Sequence, residues 1–351
     1  MLRAAYTPYL LHFKTPGGTS RGVLHEKETF FVKVWDEADP SRYGVGECAL
    51  FRGLSADDVP GYEEKLRQVC RDIDRIGPAD LREWSSIRFG VETALADLRN
   101  GGCRIVVPSP FVTGERPIEI NGLVWMGDRE TMRRRIEEKL KAGFHCIKLK
   151  IGAIDFDAEL SLLQEIRSRF GPETIELRVD ANGAFSPSEA PEKLEQLARF
   201  RLHSIEQPLR QGQWEELAAL CRNTPLPVAL DEELIGIGDP ARKMALLDTV
   251  APQYIVLKPA LAGGFSGAEE WIELARKRGI GWWITSALES NVGLNAIAQW
   301  TASLDPALPQ GLGTGQLYTD NLPSPLEQCG SVLTCNPDLT WNLNRLTWIS
   351  V

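Results

Sequence analysis

The chain has 351 residues, of which 43% are hydrophobic and 25% charged, an ordinary balance for a globular enzyme with a full core. A formal net charge of −9 argues against nucleic acid or an anionic membrane as a partner, and no apolar run approaches the roughly 20 residues that span a bilayer. Cys48, Cys70, Cys103, Cys146, Cys221, Cys329 and Cys335 are scattered, odd in number and never in a CxxC, which speaks for a reduced chain rather than a disulfide or zinc framework. With no apolar segment and cleavage signal after Met1, the expected compartment is the cytoplasm. One parallel α/β barrel takes about 250 residues, which leaves on the order of 100 for a second domain.

In chain order, residues 1–50 read as antiparallel strands, with Phe30, Val32 and Val34 alternating with Phe31, Lys33 and Trp35. The glycine-rich stretch Pro16–Gly22 interrupts the first pair and reads either as a plain hairpin connection or as a lid over a site. Helical periodicity follows over about 56–75 and 84–99, the second marked by Ile87, Val91, Ala94, Leu95 and Leu98 and closed by Gly101-Gly102. A proline-rich connector over 103–117 is the expected domain boundary. A barrel would open at Pro117–Val124, with a first helix from about Asp128 to Ala142 and Gly143 as its C-cap. Beyond about 318 the chain is short-stranded and proline-punctuated, and its simplest use is to return and pair with the N-terminal domain. The expected division is 1–115, 116–317 and 318–351.

Within the barrel region, short apolar runs recur every 25 to 30 residues, and nearly every one ends in a charged or polar residue. Cys146–Lys150 carries Lys148 and Lys150 on one face, because side chains two apart in a strand point the same way. The later runs end at Asp180, Glu206, Asp231, Lys258 and Ser286. Each interval fits one βα unit, and catalytic groups of a parallel barrel sit at the C-terminal strand ends. Three carboxylates converging there would repel each other without a cation between them, and oxygen-only ligands suit a hard ion, Mg²⁺ or Mn²⁺. The competing readings are a solvated basic edge strand for the lysines and unrelated helix N-caps for the acids. Glu206, followed by Gln207-Pro208, makes a poor cap. A metal flanked by Lys150 and Lys258 is equipment for removing a proton α to a carboxylate. His12, His25, His145 and His203 show no metal spacing, and none follows the run ending at Ser286.

Lys148-X-Lys150, Asp180-Ala-Asn182, Glu206-Gln-Pro, Asp231-Glu232 and Lys258-Pro together resemble the muconate-lactonizing subgroup of the enolase superfamily. Phe89–Leu98 extends the likeness into the N-terminal region. Thr285–Asn291 and Gly311–Asn321 are similar to motifs of that subgroup's dehydratases. The resemblance implies an α/β, enolase-like fold, an α+β capping domain with a modified TIM barrel, (β/α)7β. It implies that Asp180, Glu206 and Asp231 ligate Mg²⁺, with Asn182 and Glu232 behind them. The small-molecule carboxylate substrate would be a succinyl-bearing hydroxycyclohexadiene. Lys150 would take its α-proton and return it to the leaving hydroxyl, Lys258 would stay cationic on the other face, and Lys148 would help lower the pKa of Lys150. Ser286, Gly311, Gly313 and Thr314 would hold the succinyl arm, with Arg21 of the glycine-rich loop touching a substrate carboxylate. N-acylamino acid racemases and dipeptide epimerases resemble the chain too. The epimerases tend to carry an Asp-X-Asp after the last barrel strand, where this chain reads Gly311-Leu-Gly-Thr-Gly315. A non-catalytic metal-binding barrel is the remaining alternative, and it leaves both lysines unexplained.

Overall fold

The structure, a computed structural model, describes residues 1–19 and 22–351. Strands β1 (Leu2–Thr19), β2 (Gly22–Asp36) and β3 (Asp39–Cys48) form an antiparallel meander. Phe30, Val32 and Val34 face helices α1 (Tyr62–Arg71) and α2 (Ser85–Arg99), while Phe31 and Val45 meet Leu322, Leu346 and Trp348 on the other side. That two-sided burial explains why this strand reads as continuously apolar. The α1 helix is shorter than its periodicity suggests, because Pro60 lacks an N–H and Gly61 adopts a left-handed φ of 88° at the N-cap. β3 and α2 approach so closely that a Cβ on Gly46 would lie 1.9 Å from the Gly90 carbonyl oxygen, and one on Gly44 the same distance from that of Ala94.

The two-residue β4 (Ile118–Glu119) leads into the barrel. The barrel starts at β5 (Gly122–Val124) and continues through α3 (Arg129–Lys141), β6 (Cys146–Lys150), α4 (Phe156–Arg167), β7 (Glu176–Asp180), α5 (Ala190–Ala198) and β8 (Ser204–Glu206). Then come α6 (Trp214–Asn223), β9 (Val228–Leu230), α7 (Pro240–Val250), β10 (Tyr254–Leu257), α8 (Gly264–Arg276), β11 (Gly281–Ile284) and α9 (Asn291–Ser303). Among the described residues, β5 to β11 form one seven-stranded parallel sheet in sequence order. Its eighth place is taken by Gln310 and Gly311, which make parallel bridges to Ile120 and Thr285 and so connect the two edges. Outward positions such as Ile147, Leu177, Ile205 and Ile255 pack into the helix layer. Inward positions hold a Val256–Trp283 cluster with the Arg178 guanidinium 4.5 Å from the Trp283 ring, and the charged strand ends lie above it.

The tail returns to the N-terminal sheet as expected, except for one hairpin. Its hairpin, β12 (Leu326–Cys329) and β13 (Val332–Cys335), pairs with β4 rather than with the N-terminal sheet. The apolar pair Leu333–Ile118 and the Ile120 N–H donated to the Ser331 carbonyl hold it there. The rest of the tail does reach the N-terminal sheet: Tyr318 bridges Phe13, the Thr319 N–H donates to the His12 carbonyl, and β14 (Ile349–Ser350) pairs with β1. Two carboxylates fasten the N-terminal unit to the barrel. Glu92 accepts from the N–H groups of Phe265 (2.6 Å) and Ser266 (3.4 Å) at the start of α8, and Glu47 from those of Ser290 and Gly293 (both 3.0 Å) at the start of α9. Helix N-termini present unpaired N–H groups and a positive dipole end, so each contact is favourable twice over. All seven cysteines are free thiols, and among the described residues no helix is long and apolar enough to cross a membrane.

The Gly46 contact gives a stability prediction. Gly46→Ala should destabilise the fold by about 2 kcal/mol or more through overpacking at the β3–α2 seam, read as a lower urea midpoint. An unchanged midpoint would show that the seam yields.

Candidate active site

Parallel pairing sets the site. Lys150 lies opposite Asp180 in the β6–β7 register, and Asp180 opposite Glu206 in the β7–β8 register. One strand end therefore delivers a lysine and the next two a carboxylate each, side by side. Asp231 follows β9 and opens a short 3₁₀ turn, and Lys258 follows β10. Lys148 Nζ donates to Glu206 Oε2 at 2.6 Å and lies 2.9 Å from Asp180 Oδ2. Lys150 Nζ lies 3.1 Å from Asp180 Oδ2 and donates to Asn182 Oδ1 at 2.7 Å, and Lys258 Nζ bonds Asp231 Oδ2. Asn182 in turn donates to Glu232 Oε1 at 2.9 Å, from a left-handed backbone with φ of 44°. The acids are not side-chain caps of the helices that follow them. Asp231 makes no capping hydrogen bond, and Asp180 accepts from the Asn182 N–H within its own loop.

Asp180, Glu206, Asp231 and Glu232 are all nearly inaccessible to solvent. Burial pushes the Lys148 ammonium towards neutrality, but Asp180, Glu206 and Asp231 outweigh it and hold the group well above the ordinary lysine value. Lys258 is held up likewise, burial being outweighed by Asp231, Glu232 and Glu206. Asp180 is pushed up by burial but pulled well below the usual carboxylate range by Lys148 and Lys150. Burial and the neighbouring Asp180 charge push Glu206 well up, and burial with Asp231 raises Glu232. Negative charge is in excess here.

Among the described residues no three acidic, histidine or cysteine side chains stand as a ready metal cage, because lysine ammoniums reach between the carboxylates. The donor chemistry nevertheless fits a hard divalent cation. Glu206 Oε1 and Glu232 Oε2 are buried oxygens with no hydrogen-bond partner, beside a wholly oxygen-bearing acidic set.

Lys148, Lys150, Asp180, Asn182, Glu232 and Lys258 line one chamber, with Glu206 and Asp231 bonded to these lysines. Leu24 and Phe51 of the N-terminal unit and Leu123 and Trp125 of the barrel give it an apolar wall. The β1–β2 hairpin therefore leans over the barrel mouth, and a side chain on Gly17 would touch the Trp125 ring. Ser286, Gly311, Gly313 and Thr314 form the opposite wall. Arg21 lies outside the described residues.

Sequence reasoning missed Gln207. Its side-chain oxygen accepts from the N–H groups of Asp231 (3.1 Å) and Glu233 (3.2 Å), and its amide donates to Glu233 Oε2 and the Leu209 carbonyl. It thus ties the end of β8 to the loop carrying Asp231. The only local signal was its place after Glu206. Arg52 also borders the chamber and is paired with Glu28 and Asp58.

Residues 131–334 match the family described as Enolase C-terminal domain-like. The o-succinylbenzoate synthase of Desulfotalea psychrophila is 51% identical over 92% of this chain and 96% of its own length. The chain belongs to the o-succinylbenzoate synthase family of the enolase superfamily. It is an enzyme, a lyase. The crystal structure of MenC from D. psychrophila matches this synthase at a TM-score of 0.84 and 46% identity, covering 95% of this chain and 99% of that one. A dipeptide epimerase from Enterococcus faecalis, complexed with Mg and the dipeptide L-Leu-L-Tyr, reaches a TM-score of 0.80 over 95% of this chain and 96% of its own. At 18% identity that likeness extends to the fold alone. The enolase-like α/β architecture expected from the motifs is therefore the fold of this synthase, and the epimerases are its distant relatives.

Gln207→Ala would leave two buried N–H groups unpaired. It should cost about 2 kcal/mol of stability and, by loosening Asp231, lower kcat/KM at least about tenfold. Denaturant melts and steady-state assays check both parts.

Proposed function

We propose that this synthase catalyses the syn dehydration of 2-succinyl-6-hydroxy-2,4-cyclohexadiene-1-carboxylate to o-succinylbenzoate, a step of menaquinone biosynthesis. The observation that carries the reading is the pair Lys150 and Lys258, set on either side of the buried carboxylates at one barrel mouth. In its neutral form, Lys150 takes the proton from the ring carbon bearing the carboxylate. It then gives that proton to the departing hydroxyl on the same face, so water leaves and the ring becomes aromatic. Asn182, which accepts from Lys150 Nζ, holds the amine in place between the two transfers. Lys258, kept protonated by its acidic neighbours, faces the ring as a fixed cation and stabilises the electron-rich intermediate. The apolar wall suits the diene ring, and backbone N–H groups of the Gly311–Gly315 loop suit the carboxylate of the arm.

Asp180, Glu206 and Asp231 would hold Mg²⁺, or Mn²⁺ in its place, with Asn182 and Glu232 behind them. When bound, the ion supplies positive charge for the carboxylate next to the reacting carbon. The same lysine pair could serve a two-base racemisation of an N-acylamino acid. The Gly311–Gly315 loop lacks the acid pair that a dipeptide amino group would need.

The deciding experiment is an assay of the cyclohexadiene beside a panel of N-acylamino acids and dipeptides. Dehydration should dominate, and preferred racemisation with proton exchange from both faces would overturn the reading. Lys150→Ala should lower kcat by at least about 10³-fold while the protein stays folded; turnover near the wild-type rate would remove Lys150 as the base. Chelation with EDTA should abolish turnover. By calorimetry, Glu206→Gln should bind Mg²⁺ at least about tenfold more weakly, and an unaltered affinity would take Glu206 out of the ligand set.

A further inference from the structure

Lys27 lies in β2, beside the hairpin that covers the chamber. It is 4% exposed, and its Nζ has no hydrogen-bond partner. An ammonium is tolerated in such a place only where opposite charge compensates it. Burial lowers the Lys27 pKa, and two buried carboxylates, Glu47 and Glu289, oppose that shift. The fold brings the segments together: Thr29, on the same face of β2 as Lys27, and Ser290, next to Glu289, both donate to Glu47. Glu47 has no acceptor capacity left to offer. It takes Thr29 Oγ1 and the Ser290 N–H on one oxygen, and Ser290 Oγ and the Gly293 N–H on the other. Glu289 is different. Its Oε2 accepts from Ser286 Oγ (2.5 Å) and the Ala287 N–H (2.8 Å), while Oε1 is buried and unpartnered. Glu289 is thus the carboxylate with an oxygen to spare, and it is wholly inaccessible to solvent.

Glu289 leads directly to the chamber wall. Ser286 spends its one O–H on Glu289, and its lone pairs accept the Leu288 N–H (2.9 Å) and Thr314 Oγ1 (2.8 Å). A hydroxyl has one donor and two acceptor sites, so Ser286 is saturated. Neither it nor Thr314 has an O–H left for a substrate. As a carboxylate, Glu289 can only accept, and this sets the donor direction along Thr314, Ser286 and Glu289. Opposite charges in a buried space interact strongly without touching.

We propose that Lys27 and Glu289 form a positioning charge pair, in which the lysine of the covering sheet compensates the buried carboxylate that locks the Ser286–Thr314 wall against which the substrate's arm is read. This rests on the reaction proposed above. Burial raises the Glu289 carboxyl and the Lys27 charge opposes that rise, in the sense the pairing requires. Without Lys27, the Glu289 charge would be left uncompensated in a buried site, which loosens its hold on Ser286.

The test uses Lys27→Met, Lys27→Arg, Glu289→Gln and the double variant K27M/E289Q in the full-length enzyme. Lys27→Met should raise KM for the cyclohexadiene about tenfold, with a smaller fall in kcat. It should also reduce the thermal shift given by o-succinylbenzoate more than that given by benzoate. Lys27→Arg keeps the charge and should stay near wild type. In K27M/E289Q the carboxamide oxygen still accepts from Ser286 and no charge is stranded, so KM should return to within about threefold of wild type. A residue that merely packs would make the double at least as impaired as the worse single. If Lys27→Met does not fold, the double decides, and a double that is unfolded or additive overturns the pairing. A folded Lys27→Met with wild-type KM overturns it too. Wild-type enzyme that neither turns over the cyclohexadiene nor is stabilised by o-succinylbenzoate would instead overturn the proposed reaction.

Discussion

Three lysines and four carboxylates share one buried volume at the mouth of this barrel, and the active end of the molecule depends on their mutual compensation. Each alone would carry a desolvation cost of several kcal/mol. Together they are held by the register of β6, β7 and β8, which sets Lys150, Asp180 and Glu206 in a row without adjustable linkers. Lysine pairing and the proposed divalent-cation binding would draw on the same oxygens, as alternative ways of neutralising one excess of negative charge.

The N-terminal unit completes the chamber by an equally electrostatic route. Glu47 and Glu92 insert into the N-termini of α9 and α8, where N–H groups and the helix dipole await an anion. These contacts fix the sheet whose β1–β2 hairpin brings Leu24 over the barrel mouth. The covering wall is therefore referenced to the helices that follow β10 and β11, the strands nearest Lys258 and Ser286.

Much of this was legible in the chain. The lysine pair on Cys146–Lys150 was readable from the two-residue period of a strand, and the charged ends up to Ser286 from a spacing that fits one βα unit. The last barrel strand was harder, since it shrinks to bridges at Gln310 and Gly311 and leaves no apolar run to detect. The tail hairpin pairs with a two-residue strand, Ile118–Glu119, too short to announce an open edge. Lys27 sits in His25-Glu-Lys-Glu-Thr29, which reads as a solvated charged strand. Its burial goes with long-range packing: Leu11, its register partner on β1, packs with Tyr318 and Leu288, both far along the chain.

By itself the sequence determined which strands would be parallel, which would end in charge, and the chemical class of the groups presented. Periodicity and spacing are local properties that survive without coordinates. Only the tertiary structure decided which charge answers which, from Lys148 between Asp180 and Glu206 to Glu289 as the acceptor behind Ser286. A buried ion must find its counter-charge wherever the fold brings one, and that partner's distance along the chain carries no signal of it.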